Sequence, residues 1–123
     1  MPSESTLGIY IHVPFCVRKC PYCDFYSVPQ TAERMEQYGT ALCRFLRQMQ
    51  TDLPVDTIYF GGGTPSLLSV SLLEEILQTI DKTVSLQQPE ITLECNPATV
   101  DRKTLQQLRE IGINRLSIGV QSL

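Results

Sequence analysis

Cys16, Cys20 and Cys23 stand in the run Phe-Cys-Val-Arg-Lys-Cys-Pro-Tyr-Cys-Asp-Phe, a C-x3-C-x2-C spacing. Three close thiolates are one short of the four that complete an ordinary iron–sulfur cluster. A four-iron cluster held this way keeps one iron without a protein ligand. A small chelating molecule can bind at that iron and react. Zinc is the competing occupant, and a structural zinc would want four ligands. His12 could supply the fourth, but zinc pairs more often show C-x2-C twice. His12 itself reads better as a packed or hydrogen-bonded strand residue than as a ligand.

Two further motifs carry polar groups suited to a ligand. Gly61-Gly62-Gly63-Thr64-Pro65 lacks the Lys-Ser/Thr of a P-loop and the spacing of a dinucleotide fingerprint. Taken alone it is equally well a tight turn needing positive φ. Its functional reading is close backbone approach to a bound molecule. Glu94, in Glu94-Cys95-Asn96-Pro97, is a carboxylate that can accept hydrogen bonds from a ribose diol or an ammonium. Gln121 fits a similar role, and Tyr10 would bring its phenol near the cysteine loop.

The elements that must position these groups follow from periodicity. Residues 8–13 alternate like a strand. Met35, Tyr38, Leu42, Phe45, Leu46 and Met49 recur at helical spacing, predicting a helix over about 31–50 that Asp52-Leu53-Pro54 ends. Residues 56–60 read as a second strand running into the glycines. A helix over about 71–84 follows, with Ser71 and Glu74 as a capping box. Residues 91–95 make a third strand. Leu105, Leu108 and Ile111 mark a third helix that Gly112 closes, and 115–120 form a fourth strand. Alternating strands and helices predict right-handed βαβ units and a parallel sheet, an α/β fold.

Three of the strands have one polar or small face. Tyr10 and His12 oppose Ile9, Ile11 and Val13. Thr92 and Glu94 oppose Ile91, Leu93 and Cys95. Ser117, Gly119 and Gln121 oppose Leu116, Ile118 and Val120. The apolar face should pack under helices, and the polar face should line a cavity, as inside an open barrel. The cysteine loop, the glycine loop and Glu94 all fall at C-terminal strand ends, where α/β folds place their sites.

The bulk numbers narrow the class. Of 123 residues, 42% are hydrophobic and 19% charged, with a net charge of −3. That is ordinary globular composition, and nothing basic argues for a nucleic-acid partner. No apolar run approaches the roughly 18 residues of a membrane span. The polar N-terminus has no basic n-region or signal-type apolar core, which places the protein in the cytoplasm. Five cysteines, three of them clustered, do not make a disulfide framework. Cys43 and Cys95 read as small buried hydrophobes.

These motifs together resemble the radical S-adenosylmethionine superfamily. Cys16-x3-Cys20-x2-Cys23, with Tyr22 before the third cysteine, matches its cluster motif. Tyr10-Ile-His-Val-Pro-Phe-Cys16, Gly61–Pro65, Glu94–Pro97 and Asn114–Ser122 look like the oxygen-independent coproporphyrinogen III oxidase group. The oxidases carry a further cysteine two residues after the third ligand, where this chain has Phe25. The run Cys-Pro-Tyr-Cys-Asp-Phe-Tyr-Ser is more similar to the HemW-type haem chaperones. The resemblance implies the N-terminal part of a partial (β/α) barrel. It makes Cys16, Cys20 and Cys23 ligands of a 4Fe-4S cluster. Tyr10, Tyr22, Gly62, Gly63, Thr64, Glu94 and Gln121 become contacts to S-adenosylmethionine. It implies an electron donor that reduces the cluster and cleavage of the cofactor to a 5′-deoxyadenosyl radical. Haem is the implied cargo, handed to haem-acceptor proteins.

A closed barrel takes about 250 residues, so residues 1–123 are expected to be the N-terminal portion of a longer radical S-adenosylmethionine domain. The rest of the barrel and a C-terminal domain would lie beyond it. The fourth strand is then a bare edge, and the segment expressed alone should be unstable or aggregate. Three functions compete: haem chaperone, radical decarboxylation of coproporphyrinogen III in porphyrin biosynthesis, and a zinc-binding interaction module. A visible spectrum separates the last, because a zinc protein is colourless and an iron–sulfur protein brown.

Overall fold

The computed structural model of the chain describes residues 5–16, 28–29, 32–97 and 100–118. Its strands are β1 (Leu7–Val13), β2 (Phe15–Cys16), β3 (Val28–Pro29), β4 (Val55–Gly62), β5 (Leu86–Cys95) and β6 (Arg115–Ile118). The described helices are α1 (Ala32–Leu46), α2 (Val70–Thr83) and α3 (Arg102–Glu110), with a 3₁₀ turn at Pro65–Leu67. Four strands form a parallel sheet in the order β1-β4-β5-β6. Each helix therefore follows one strand and precedes the next, as the alternation of patterns predicts.

The faces of the sheet separate by side-chain parity. Ile11, Val13, Ile58, Phe60, Leu93 and Cys95 are buried in one cluster with Cys43 and Leu46 of α1, Leu73, Ile76 and Ile80 of α2, and Leu108 of α3. Full burial of a large apolar side chain contributes about 1.5–3 kcal/mol, so this cluster is the chief source of stability. Cys43 and Cys95 are free and buried, as their apolar setting suggested. Close approach of α1 to α2 depends on Gly39, where a Cβ would lie 2.2 Å from Leu72 Cδ1.

Tyr10 and His12 are exposed on the opposite face. Three positions depart from the expected division. Thr92 lies on that polar face yet is buried, flanked in register by Tyr59 and Arg115. Leu116 and Ile118 keep 37% and 56% of their surface although they lie on the apolar face. Their strand, β6, is an edge of the sheet among the described residues.

Helix termini show which residues cap. The N-cap of α2 is Ser69, whose side chain accepts from the Leu72 N–H at 3.1 Å. This corrects the Ser71–Glu74 capping box. Ser69 has the extended backbone an N-cap needs, whereas Ser71 already lies inside the helix. Asp101 caps α3 by accepting from the Thr104 N–H at 2.8 Å. Gly112, at φ +115, closes α3 in the left-handed conformation expected of it.

Two features had no counterpart in the sequence patterns. Strand β5 begins at Leu86 rather than Ile91 and passes through Pro89. Asn114 supports that start: its Nδ2 donates to the Pro89 carbonyl, and its Oδ1 accepts from the Ile91 N–H. The second feature is the parallel pair β2–β3, which sets Phe15 opposite Val28 and Cys16 opposite Pro29. Among the described residues, no helix is long and apolar enough to cross a membrane.

Candidate functional site

The C-terminal ends of β1, β4 and β5 converge on the glycine loop. Parallel pairing puts His12 opposite Gly61 and Val13 opposite Gly62. Beyond the strand, Gly63 N–H donates to the Val13 carbonyl at 2.7 Å, and Thr64 N–H donates to the Phe15 carbonyl. The loop is thus bonded to the backbone that leads into Cys16. From below, the Tyr38 hydroxyl of α1 donates to the His12 carbonyl, and its ring meets Phe15 edge-on at 5.6 Å. Burial pushes the Tyr38 phenol up to about 12, so it stays a donor at any neutral pH.

Two of the three glycines in the loop have their own steric reason. Gly62 has φ +112, and a Cβ there would lie 2.7 Å from the Val13 carbonyl oxygen and 2.8 Å from His12 Nδ1. A Cβ on Gly61 would lie 2.6 Å from the Tyr10 hydroxyl and 2.9 Å from Tyr59 Cε1. Gly61 therefore allows both tyrosine rings to lie beside the strand. Those rings stack across β1 and β4, with centroids 5.6 Å apart and planes inclined by 12°, a favourable offset arrangement. Tyr10 remains 60% exposed.

Glu94 ties β5 to this loop. Its Oε1 accepts from the Gly62 N–H at 3.1 Å, and its Oε2 accepts from the Tyr59 hydroxyl at 2.7 Å. Among the described residues no cation forms an ion pair with it. A carboxylate offers about four lone-pair sites, so two protein bonds leave capacity for a ligand that donates hydrogen bonds. The hydrogen bond donated to Glu94 holds the Tyr59 phenol above its ordinary range, and a neighbouring Ser117 hydroxyl offsets this in part. Behind the loop, Ser66 accepts from the Asn96 N–H at 3.3 Å. Burial pushes the Cys95 thiol up, while Ser66 opposes that shift.

Of the expected cofactor contacts, Tyr10, Gly62, Gly63, Thr64 and Glu94 are brought to one rim. Tyr22, Gln121, Cys20 and Cys23 lie outside the described residues, and Cys16 is described through its backbone alone. Among the described residues no cluster of three or more metal-binding side chains forms. His12 is exposed beside Gly62 rather than packed. The residue that sequence reasoning missed is Tyr59. Its parity carried the signal: two residues before Gly61, it shares the face of Tyr10 and Glu94.

Comparison with known proteins places this geometry. Residues 10–123 match the model of the Radical SAM superfamily. The chain is 39% identical to the heme chaperone HemW of Haemophilus influenzae, over 99% of this chain and 34% of that protein. It is 40% identical to HemW of Escherichia coli, over 94% of this chain and 32% of that protein. Among solved structures it superposes on the coproporphyrinogen III oxidase HemN of Escherichia coli, a radical SAM enzyme. The TM-score is 0.85 and the identity 28%, over 98% of this chain and 29% of that one. The chain thus spans about a third of the length of the curated relatives it matches.

Proposed function

Since the chain belongs to the radical S-adenosylmethionine superfamily, we propose that its protein is a haem chaperone that binds haem and passes it to acceptor proteins. The observation carrying this reading is its 39% and 40% identity to named heme chaperones, against 28% to the oxidase of similar fold. Phe25, where the oxidases carry a further cysteine, points the same way.

In this reading Cys16, Cys20 and Cys23 hold a 4Fe-4S cluster, and Tyr10, Tyr22, Gly62, Gly63, Thr64, Glu94 and Gln121 contact S-adenosylmethionine. When bound, the pair supplies one-electron chemistry at the sulfonium, with an external donor reducing the cluster. The described residues suit such a ligand. Glu94 is a carboxylate with no ion-pair partner among the described residues and with spare lone pairs, and Gly62 and Gly63 are exposed backbone beside it. Residues 1–123 form the N-terminal portion of the superfamily's domain, the remainder of barrel and cargo site lying beyond, and the protein works in the cytoplasm.

The second reading, oxidative decarboxylation of coproporphyrinogen III, is favoured by the structural likeness to HemN. Anaerobic reconstitution of the intact protein with iron and sulfide tests the shared premise. The reduced protein should give a four-iron EPR signal that changes on adding S-adenosylmethionine. Haem titration and product analysis with coproporphyrinogen III then decide between the two. Haem binding without porphyrinogen turnover supports the chaperone, and turnover overturns it. A colourless, zinc-loaded protein overturns both.

A further inference from the structure

The proposed contact between Glu94 and the cofactor requires a carboxylate that is held in place before the ligand arrives. Nothing in β5 alone does this, because a glutamate side chain has three rotatable bonds and loses entropy when fixed. Two groups from β4 meet its oxygens. Gly62 N–H is fixed by the backbone, and Tyr59 Oη reaches Oε2 at 2.7 Å. Tyr59 is itself held. Its ring is stacked on Tyr10, it lies beside Gly61, where a Cβ would be 2.9 Å from its Cε1, and Ser117 of β6 stands at its hydroxyl. The chain from Ser117 through Tyr59 to Glu94 therefore links three neighbouring strands on the polar face.

We propose that Tyr59 is a positioning residue for ligand binding: its hydroxyl fixes one Glu94 oxygen while Gly62 N–H fixes the other. The remaining lone pairs of the carboxylate are then presented to the ammonium or ribose hydroxyls of the ligand. This rests on the reading of Glu94 as a cofactor contact. Tyr59 touches no ligand and acts through Glu94. The hydrogen bond it donates to Glu94 is the first cause that holds its phenol protonated, above its ordinary range.

The test measures the dissociation constant of S-adenosylmethionine for the intact, anaerobically reconstituted protein by equilibrium dialysis. Tyr59→Phe keeps the ring and its stack and removes the hydroxyl. Affinity should fall about fivefold, the loss typical of one hydrogen bond, with cluster content unchanged. A second arm keeps the hydroxyl and changes its acidity. A fluorinated tyrosine placed at position 59, whose phenol ionises at lower pH, should make affinity fall as pH rises through that pKa. The native protein should show no such fall in the same range. A ring that serves packing alone would not transmit this pH dependence, and the arm stands even if Tyr59→Phe fails to fold. Glu94→Gln separates the two layers of the argument. Unchanged affinity in both Tyr59 variants, where Glu94→Gln weakens binding, overturns the positioning role alone. Unchanged affinity in all three overturns it together with the cofactor reading of Glu94.

Discussion

Gly62 and Gly112 form a natural pair for asking what the glycine loop demands. Both have strongly positive φ, +112 and +115. Their surroundings differ. A Cβ on Gly112 would meet only Ile91 Cδ1, at an ordinary 3.7 Å, whereas a Cβ on Gly62 would lie 2.7 Å from the Val13 carbonyl oxygen. That oxygen cannot swing aside, because it accepts the Gly63 N–H bond. Gly112→Ala should therefore cost about 1–2 kcal/mol, the price of a left-handed backbone for a residue with a side chain. Gly62→Ala carries the same strain and adds a collision worth a further ~1–3 kcal/mol. Its total should be about 2–5 kcal/mol. Urea denaturation of the intact protein, fitted at constant slope, reads both values. The Gly62 substitution should also weaken S-adenosylmethionine binding, because the N–H that holds Glu94 moves, while Gly112→Ala should leave it unchanged. Equal destabilisation by the two alanines would refute the claim that the loop is packed against the end of β1.

Three other outcomes follow from the fold. Ser69→Ala should cost about 1 kcal/mol in denaturation and Ser71→Ala close to nothing, because Ser69 is the helix cap. Gly39→Ala should destabilise by about 1 kcal/mol, helix propensity favouring alanine by ~1 kcal/mol and collision with Leu72 costing more. In a Leu72→Ala background the same change should become stabilising, and a denaturation double-mutant cycle measures that reversal. Tyr38→Phe should cost about 1 kcal/mol at neutral pH by leaving the His12 carbonyl without its donor. Because burial raises the Tyr38 phenol from 10.0 to about 12, its contribution is complete below pH 10 and is lost as pH rises through about 12. The phenylalanine variant should lack that alkaline component in a stability–pH profile.

The strands were legible because alternation survives in a sheet with one polar face. Ile9, Ile11 and Val13 against Tyr10 and His12 is enough to assign both sides of β1. The glycine loop and Glu94 were legible as separate ligand-type motifs at strand ends. Their direct bond, Gly62 N–H to Glu94, was not, since it depends on which strands are neighbours. Tyr59 was hidden for the same reason, as a tyrosine in a strand looks like any β-former until its cross-strand partners are known. The pair β2–β3 is too short to show any period. Ser69 and Ser71 are both plausible caps by type, and only the extended backbone at Ser69 decides between them. Leu116 and Ile118 read as core from alternation. Parity assigns a face but cannot say whether anything covers it.

The bonds from Gly63 to Val13 and from Thr64 to Phe15 have a thermodynamic corollary. They join the backbone proposed to meet the ligand to the backbone that enters the cysteine run, so neither can shift without disturbing the other. In the proposed function, cofactor affinity and cluster retention are then linked quantities. Whatever factor the assembled cluster adds to the affinity for S-adenosylmethionine, the ligand must return as resistance of the cluster to dissociation. A protein saturated with S-adenosylmethionine should accordingly lose its iron to a chelator more slowly than the same protein without it.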